Sequence, residues 1–367
     1  MATLRALTGE DWPQRRALAG LAFGYTAPEE PPDETPAIRV GAFEGDRLLA
    51  AATGRPYAQW WHGRPVEMCG IAGVAVHPDA RGRGLVRHLL GEVTARTTAP
   101  VSVLYPTAPG IYRGMGWEVV GTLDETLVPL TALPGSPATS TRSATAEDLP
   151  RLHELYVERG EAGSGLLTRE GPSFPSGLDD LLATDVVTVA EEAGRITGWI
   201  SYSRGEGYRH GGPLRVWDCV ASTPVAMRSL LAGLASWSAV VDAVRWRGST
   251  RELALACGAQ VPAAEQAQPW MLKVLDVPAA LSARGWGTDG TVAFAVDGAG
   301  WCVSVSGGSA QVTSVPADGL PVVQPRGLAL LYAGADPGLL LRAGLLDRPA
   351  TYLALFAGPA PEILDYF

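Results

Sequence analysis

The sequence predicts an α/β chain made of two successive copies of one mixed-sheet unit, followed by a smaller α+β unit. Three observations carry this expectation. Two segments open alike, Thr8-Gly9-Glu10-Asp11-Trp12-Pro13 and Thr145-Ala146-Glu147-Asp148-Leu149-Pro150. Each opening is followed, in the same order, by an apolar hairpin, a β-branched strand and a helix, and such recurrence marks an internal repeat. At 367 residues the chain is also longer than one hydrophobic core usually serves.

The elements follow in order. In each opening a Thr stands three residues before an Asp, the signature of a reciprocally capped helix start after a short strand. The first hairpin is read over 39–51, turning at Gly45-Asp46, and its counterpart over 186–200, turning at Ala193-Gly194. The central strand is read over Ile71–Val76 and again over Leu214–Val220, with helices from Gly84 to about Ala95 and from about Pro224 to Trp237. Trp270–Leu281 reads as a strand crossing into the third unit. Strands at Gly290–Val296 and Trp301–Val305 follow, then helical apolar runs between Leu328 and Leu346. The expected boundaries are 1–133, 134–272 and 273–367.

Composition narrows the class. Apolar residues make up 47% and charged residues 18% of the chain, which fits buried sheets and excludes a disordered chain. The net charge of −9 argues against nucleic acid as a partner and fits a cationic substrate. Cys69, Cys219, Cys257 and Cys302 lie far apart with no C-x-x-C pair, so neither a metal site nor a disulfide framework is expected; they read as small buried apolar residues. The opening Met1-Ala2-Thr3-Leu4-Arg5 has no apolar leader, and Asp336, Pro337 and Arg342 interrupt the most apolar later window. A cytoplasmic protein without membrane partners is the expectation.

One stretch carries chemistry: Ile71-Ala72-Gly73-Val74-Ala75-Val76-His77-Pro78-Asp79-Ala80-Arg81-Gly82-Arg83-Gly84-Leu85. A strand that opens through glycines into a helix start presents unpaired backbone N–H groups at the positive end of a helix dipole. Arg81 and Arg83 add fixed positive charge, so the ligand expected here is a pyrophosphate. At the matching place the second copy has Ala221-Ser222-Thr223-Pro224-Val225-Ala226-Met227-Arg228, without glycines or paired arginines. A β-branched Thr and a Pro do not supply the open turn. Only the first copy is expected to bind.

These residues resemble motif A of the GNAT superfamily of N-acetyltransferases, V-x-P-x-x-[RQ]-x-x-G-x-[GA]. Val76, Pro78, Arg81 and Gly84 match, and Val86 departs where Gly or Ala is usual. A branched aliphatic residue at that place, and three units with the motif only in the first, resemble the enhanced intracellular survival family. The resemblance implies two tandem GNAT-type domains, a sterol-carrier-protein-like C-terminal domain and a homo-oligomer, a hexamer. It also implies acetyl-CoA as cosubstrate and no metal. Val74, Ala75 and Val76 would flank the pantetheine, and Arg81, Gly82, Arg83, Gly84 and Leu85 the phosphates. The implied acceptor is an amine of a cationic small molecule, aminoglycoside-like or a polyamine. A lysine side chain of a peptide or protein is the second reading, and a non-catalytic acyl-CoA or lipid carrier the third.

Gly110-Ile111-Tyr112-Arg113-Gly114-Met115-Gly116-Trp117 resembles the family segment G-I-Y-x-x-x-G-[YFW], which casts Tyr112 as general acid. A phenol of pKa about 10 is protonated at pH 7 and can donate to a thiolate of pKa about 8.5, uphill by only ~2 kcal/mol. In the same family the terminal aromatic places its α-carboxylate in the first domain's active site, which casts Phe367 there. A carboxylate near pKa 3.5 lies ~7 units, or ~9 kcal/mol, below an ammonium near 10.4. It can hold a cationic amine and stabilise developing charge, but it cannot deprotonate that amine. Trp12, Phe23, Tyr25, Trp60 and Trp61 are candidates to line an acceptor pocket, with the apolar core as the alternative place for each.

Overall fold

The computed structural model describes residues 2–24, 36–174, 178, 180–184, 186–207, 212–258, 261–262 and 264–367. The first copy runs β1 (Thr3–Ala6), α1 (Trp12–Phe23), β2 (Ile38–Glu44), β3 (Arg47–Trp61) and β4 (Arg64–Val76), then α2 (Leu85–Arg96), β5 (Val101–Leu104), α3 (Pro109–Arg113) and β6 (Glu118–Pro129). The second runs β7 (Ser140–Ser143), α4 (Leu149–Glu161), β8 (Ser164–Leu167), α5 (Leu181–Thr184), β9 (Val186–Glu192) and β10 (Arg195–Arg204). It continues through β11 (Leu214–Ala221), α6 (Pro224–Ala235), β12 (Ala243–Arg247), α7 (Thr250–Cys257) and β13 (Gln266–Val274). The last unit holds α8 (Val277–Ala283), β14 (Gly290–Val296), β15 (Ala299–Ser306), β16 (Ser309–Val315), α9 (Pro325–Tyr332) and α10 (Pro337–Arg342).

Both repeated openings form the same device. Thr8 and Asp11 make a capping box, as do Thr145 and Asp148, and each opens a 3₁₀ turn that leads into α1 or α4. Asp11 also takes two N–H groups of Arg5 at 2.6 and 2.7 Å, and Asp148 takes two from Arg142 at 2.7 and 2.9 Å. The arginine partner holds each carboxyl well below the usual carboxylate range, Asp11 at about 2.

One sheet unites the copies, in the order β1-β2-β3-β4-β5-β13-β6-β12-β11-β10-β9-β7, with β8 added beside β3. Read from either edge, the order follows one plan, except that each copy's last strand has crossed over. β13 lies antiparallel to β5, with Met271 opposite Leu104, and β6 lies antiparallel to β12, with Thr126 opposite Trp246. The two exchanged strands then pair with each other, Gln268 opposite Leu123. The strand expected to lead into the third unit is therefore a central strand of the large sheet as far as Val274, and the third unit begins with α8.

That unit is an antiparallel meander of β14, β15 and β16 with helices against it. Its core is continuous with the central strands, running from Tyr57, Trp61 and Trp270 to Phe294, Tyr332 and Phe356. Cys69 and Cys219 are buried as expected, whereas Cys257 and Cys302 are half-buried. Among the described residues no helix is long and apolar enough to cross a membrane.

Candidate active site

β4 and β5 are parallel neighbours from Met68–Val101 to Ile71–Leu104, and there their pairing ends. β5 stops at Leu104 while β4 runs on to Val76, so one edge of the Ala72–Val76 backbone is released from that neighbour. On its other edge β4 is bulged. Thr53 opposes Ala72 and Ala51 opposes Ala75, leaving Gly73 and Val74 against the single residue Ala52. Gly73 takes φ +57, and a Cβ there would lie 2.8 Å from the Arg15 guanidinium, so the bulge requires glycine. Bulges of this kind redirect backbone groups beside ligand sites.

Beyond β4 the chain turns through Pro78–Ala80 and reaches α2. Gly82 and Gly84 both adopt left-handed conformations, φ +76 and +72, and a Cβ on either would project into open space. Gly84 is the N-cap of α2, and the helix ladder opens with the Arg87 N–H bonded to Gly84 O at 3.1 Å. The amides from Gly82 to Val86 thus lie at the positive end of α2 with open space above the two glycines. Leu85 anchors the turn in the core at 6% exposure, while Arg81 and Arg83 stand in solvent. Arg83 pairs with Glu44 at 3.0 Å.

A cavity of about 680 Å³ joins these parts. Its walls include all eight residues expected beside the cosubstrate, Val74, Ala75, Val76, Arg81, Gly82, Arg83, Gly84 and Leu85, together with Tyr112. That volume is within the range of small-molecule sites. Ala75 is buried toward Leu18 and Phe43, so its side chain packs beneath the strand while its backbone meets the cavity. Tyr112 is carried on α3, whose Ile111 N–H bonds Ala108 O at 3.0 Å; the Tyr112 carbonyl accepts from Met115 at 2.9 Å and Trp117 at 3.2 Å. The Tyr112 ring is buried in one cluster with Trp117, and burial raises its phenol above the ordinary value.

Phe367 is not among the walls of this cavity; it lies beside the last paired residues of β4 and β5. Its ring packs on Tyr57 and Tyr105, with centroids 4.9 and 5.5 Å apart, and a Cβ on Gly70 would come within 2.9 Å of it. Gly70 is the residue before Ile71, and Tyr105 the residue after β5. Phe23, a candidate for the acceptor pocket, lines the cavity, with Ile111 and Met115. The latter two stand inside the segment around Tyr112, where helical spacing was the signal for them. Trp60 and Trp61 are core residues, 7% and 0% exposed. Tyr25 lies outside the described residues.

In the second copy the same helix start is closed from within. Thr223 caps α6 by accepting the Ala226 N–H at 3.0 Å, and its hydroxyl donates to the Glu192 carboxylate, which also accepts from Thr197 at 2.6 Å. A carboxylate therefore stands where an anionic ligand would have to enter.

Residues 3–120 match a family model described as an acetyltransferase (GNAT) domain, and residues 165–274 match a second of the same description. The N-acetyltransferase Eis of Mycobacterium tuberculosis is 31% identical over 139 residues, covering 34% of this chain and 35% of that protein. The solved GCN5-related N-acetyltransferase from Kribbella flavida is 30% identical over 100% of this chain and 98% of its own, with a TM-score of 0.84. The chain belongs to the GCN5-related N-acetyltransferases. The GCN5-related N-acetyltransferase from Anabaena variabilis covers both chains in full at 25% identity and a TM-score of 0.87. Eis1 from Mycobacterium abscessus, at 21% identity and 0.74, shares the fold. The matched part spans about a third of the curated Eis proteins' length, 35%. Both copies match GNAT models, yet only the first has the open glycine turn.

Proposed function

We propose that the protein transfers an acetyl group from acetyl-CoA to an amine of a cationic small molecule, aminoglycoside-like or a polyamine, by direct attack. The observation that carries this reading is the parting of β4 from β5 above Ile71, beside a glycine turn at a helix N-terminus. Pantetheine would pair with the freed backbone of Val74 and Val76, as an added strand does. The pyrophosphate would rest on the amides from Gly82 to Leu85, with Arg81 and Arg83 contributing charge. An amide freed at the Gly73 bulge would polarise the thioester carbonyl.

The neutral amine's lone pair forms a bond to the thioester carbon. The tetrahedral intermediate then breaks its C–S bond, and the departing thiolate takes the Tyr112 phenolic proton. The new ammonium loses a proton to water, and solvent restores the phenol. Burial suits Tyr112 to this role, because the raised phenol remains protonated at neutral pH. The α-carboxylate that Phe367 carries in this sequence holds the cationic acceptor at the split and stabilises charge developing on nitrogen. It is too weak a base to deprotonate an ammonium.

Thiol titration of CoA release tests this, with N-terminally tagged protein, acetyl-CoA and a panel of aminoglycosides, polyamines and lysine peptides. Turnover is expected with a small polycation. Release with lysine peptides alone would move the assignment to a peptide acetyltransferase, and acetyl-CoA binding without release on any amine would refute catalysis.

A further inference from the structure

The second copy also has a split between its parallel strands. β11 and β12 pair only from Leu214–Val244 to Val216–Trp246, after which β11 bulges at Trp217 and continues to Ala221. The final segment of this same chain binds along that split. The Glu362 N–H donates to Ser164 O at 2.8 Å, and the Glu362 carboxylate takes Arg159 at 2.7 Å. Gly165, at φ +100, lets the segment approach, since a Cβ there would overlap the Glu362 backbone. Arg247 donates to Leu364 O at 3.2 Å.

The next contact is the most buried. Arg169 is 8% exposed and Asp218, just beyond the bulge of β11, is 3% exposed. Two guanidinium N–H groups of Arg169 grip the Asp218 carboxylate at 2.8 and 3.0 Å, and its Nε donates to Asp365 at 3.0 Å. The guanidinium also lies over the Tyr156 ring at 4.5 Å, so its plane is held as well as its ends. The Tyr105 hydroxyl donates to Asp365 O at 2.7 Å, and two residues later Phe367 packs between Tyr57 and Tyr105.

A buried cation between two carboxylates adds little net stability over an apolar filling of the same volume, because desolvation offsets the attraction. It does fix direction. With both terminal nitrogens on Asp218, Arg169 turns its Nε–Nη2 edge to Asp365, whose Oδ1 lies 3.0 Å from each, and Arg–carboxylate geometry is narrow. We propose that the second copy's cleft serves as a socket for the C-terminal segment. In it, Arg169 and Asp218 are positioning residues that set Phe367 at the first copy's transfer site. The catalytic consequence rests on the acetyltransferase reading of that site. The socket explains why the second copy retains the split sheet while its helix start is sealed by Thr223 and Glu192.

Removing Arg169 would strand two buried carboxylates and risk the fold. Asp365→Ala leaves Arg169–Asp218 as a neutral pair and is the variant of choice, with Asp365→Glu as the conservative control. Hydrogen exchange on the intact protein without acetyl-CoA reads the socket directly. The amide of Glu362, bonded to Ser164 O, is expected to exchange at least tenfold faster in Asp365→Ala, with β11 and β12 unchanged and protection partly restored in Asp365→Glu. Steady-state kinetics should show kcat at least tenfold lower with KM for acetyl-CoA within twofold. Wild-type exchange of the segment in Asp365→Ala would overturn the socket, and a released segment with wild-type kcat would overturn the positioning role. Because exchange needs no turnover, an inactive wild-type protein would refute the proposed function without deciding the socket.

Discussion

Tyr112→Phe removes one oxygen from a buried ring and leaves its packing in place. The ring is 6% exposed, and the Tyr112 carbonyl still accepts from Met115 and Trp117, so the melting temperature should move by no more than a few degrees. The loss should fall on the leaving group. A CoA thiolate of pKa about 8.5 takes a proton from a phenol above 10, and burial widens that gap of at least ~2 kcal/mol. Transfer is therefore assisted by C–S cleavage, and water replaces the phenol poorly in a buried place. Positioned acids contribute about 10²–10⁴-fold, and the uphill gap points to the lower end, about 10² or ~3 kcal/mol. Initial rates of CoA thiol release, measured from pH 6 to 9, should show kcat down about a hundredfold. KM for acetyl-CoA should remain within twofold, since the ring still lines the cavity. The wild type should also show no loss from phenol ionisation across that range. A kcat within threefold of wild type would refute Tyr112 as the acid, and an alkaline limb near pH 8 that vanishes in the variant would contradict the raised phenol.

Three further outcomes follow from the fold. Trp270→Ala empties a fully buried site on the exchanged strand β13, against Trp61, and should cost about 3–5 kcal/mol. Calorimetry should show both copies melting together at lower temperature; two separate transitions with only one displaced would contradict the exchange. Arg5 holds the Asp11 carboxyl down at about 2, so its contribution is fully present above about pH 4 and lost as pH falls toward 2, where the unfolded chain binds the extra proton. The melting temperature of Asp11→Asn should therefore vary less with pH over that window, and parallel curves would count against the pair. Thr223→Ala removes a helix cap worth about 1 kcal/mol; measured by calorimetry, it should create no second acetyl-CoA site, because Glu192 remains at the helix start.

The elements and the lining of the cavity were legible because local signals write them. Capping pairs at Thr8–Asp11 and Thr145–Asp148, glycines at the hairpin turns, and Gly82 and Gly84 before α2 each act within a few residues. The strand exchange was not legible. β6 and β13 need the same apolar pattern whichever copy they complete, and pairing partners leave no mark on a strand's own residues. The charged trio was hidden for a related reason. Arg169, Asp218 and Asp365 are scattered in sequence, and charged residues are ordinarily read as solvent-facing unless a fold buries them in partnership. Trp60 and Trp61 went to the core because β8 and the third unit cover the far end of β3, a long-range packing that the aromatic pair alone does not announce.

Equilibrium titration of the intact chain with acetyl-CoA, with and without Gly84→Val, addresses the claim that one of two similar units binds. Valine at φ +72 is strained, and its side chain would project into the open space above the α2 start. One site per chain, weakened at least tenfold in Gly84→Val while hydrogen exchange elsewhere is unchanged, is the expected result. Two sites per chain, or one site indifferent to Gly84→Val, would contradict it.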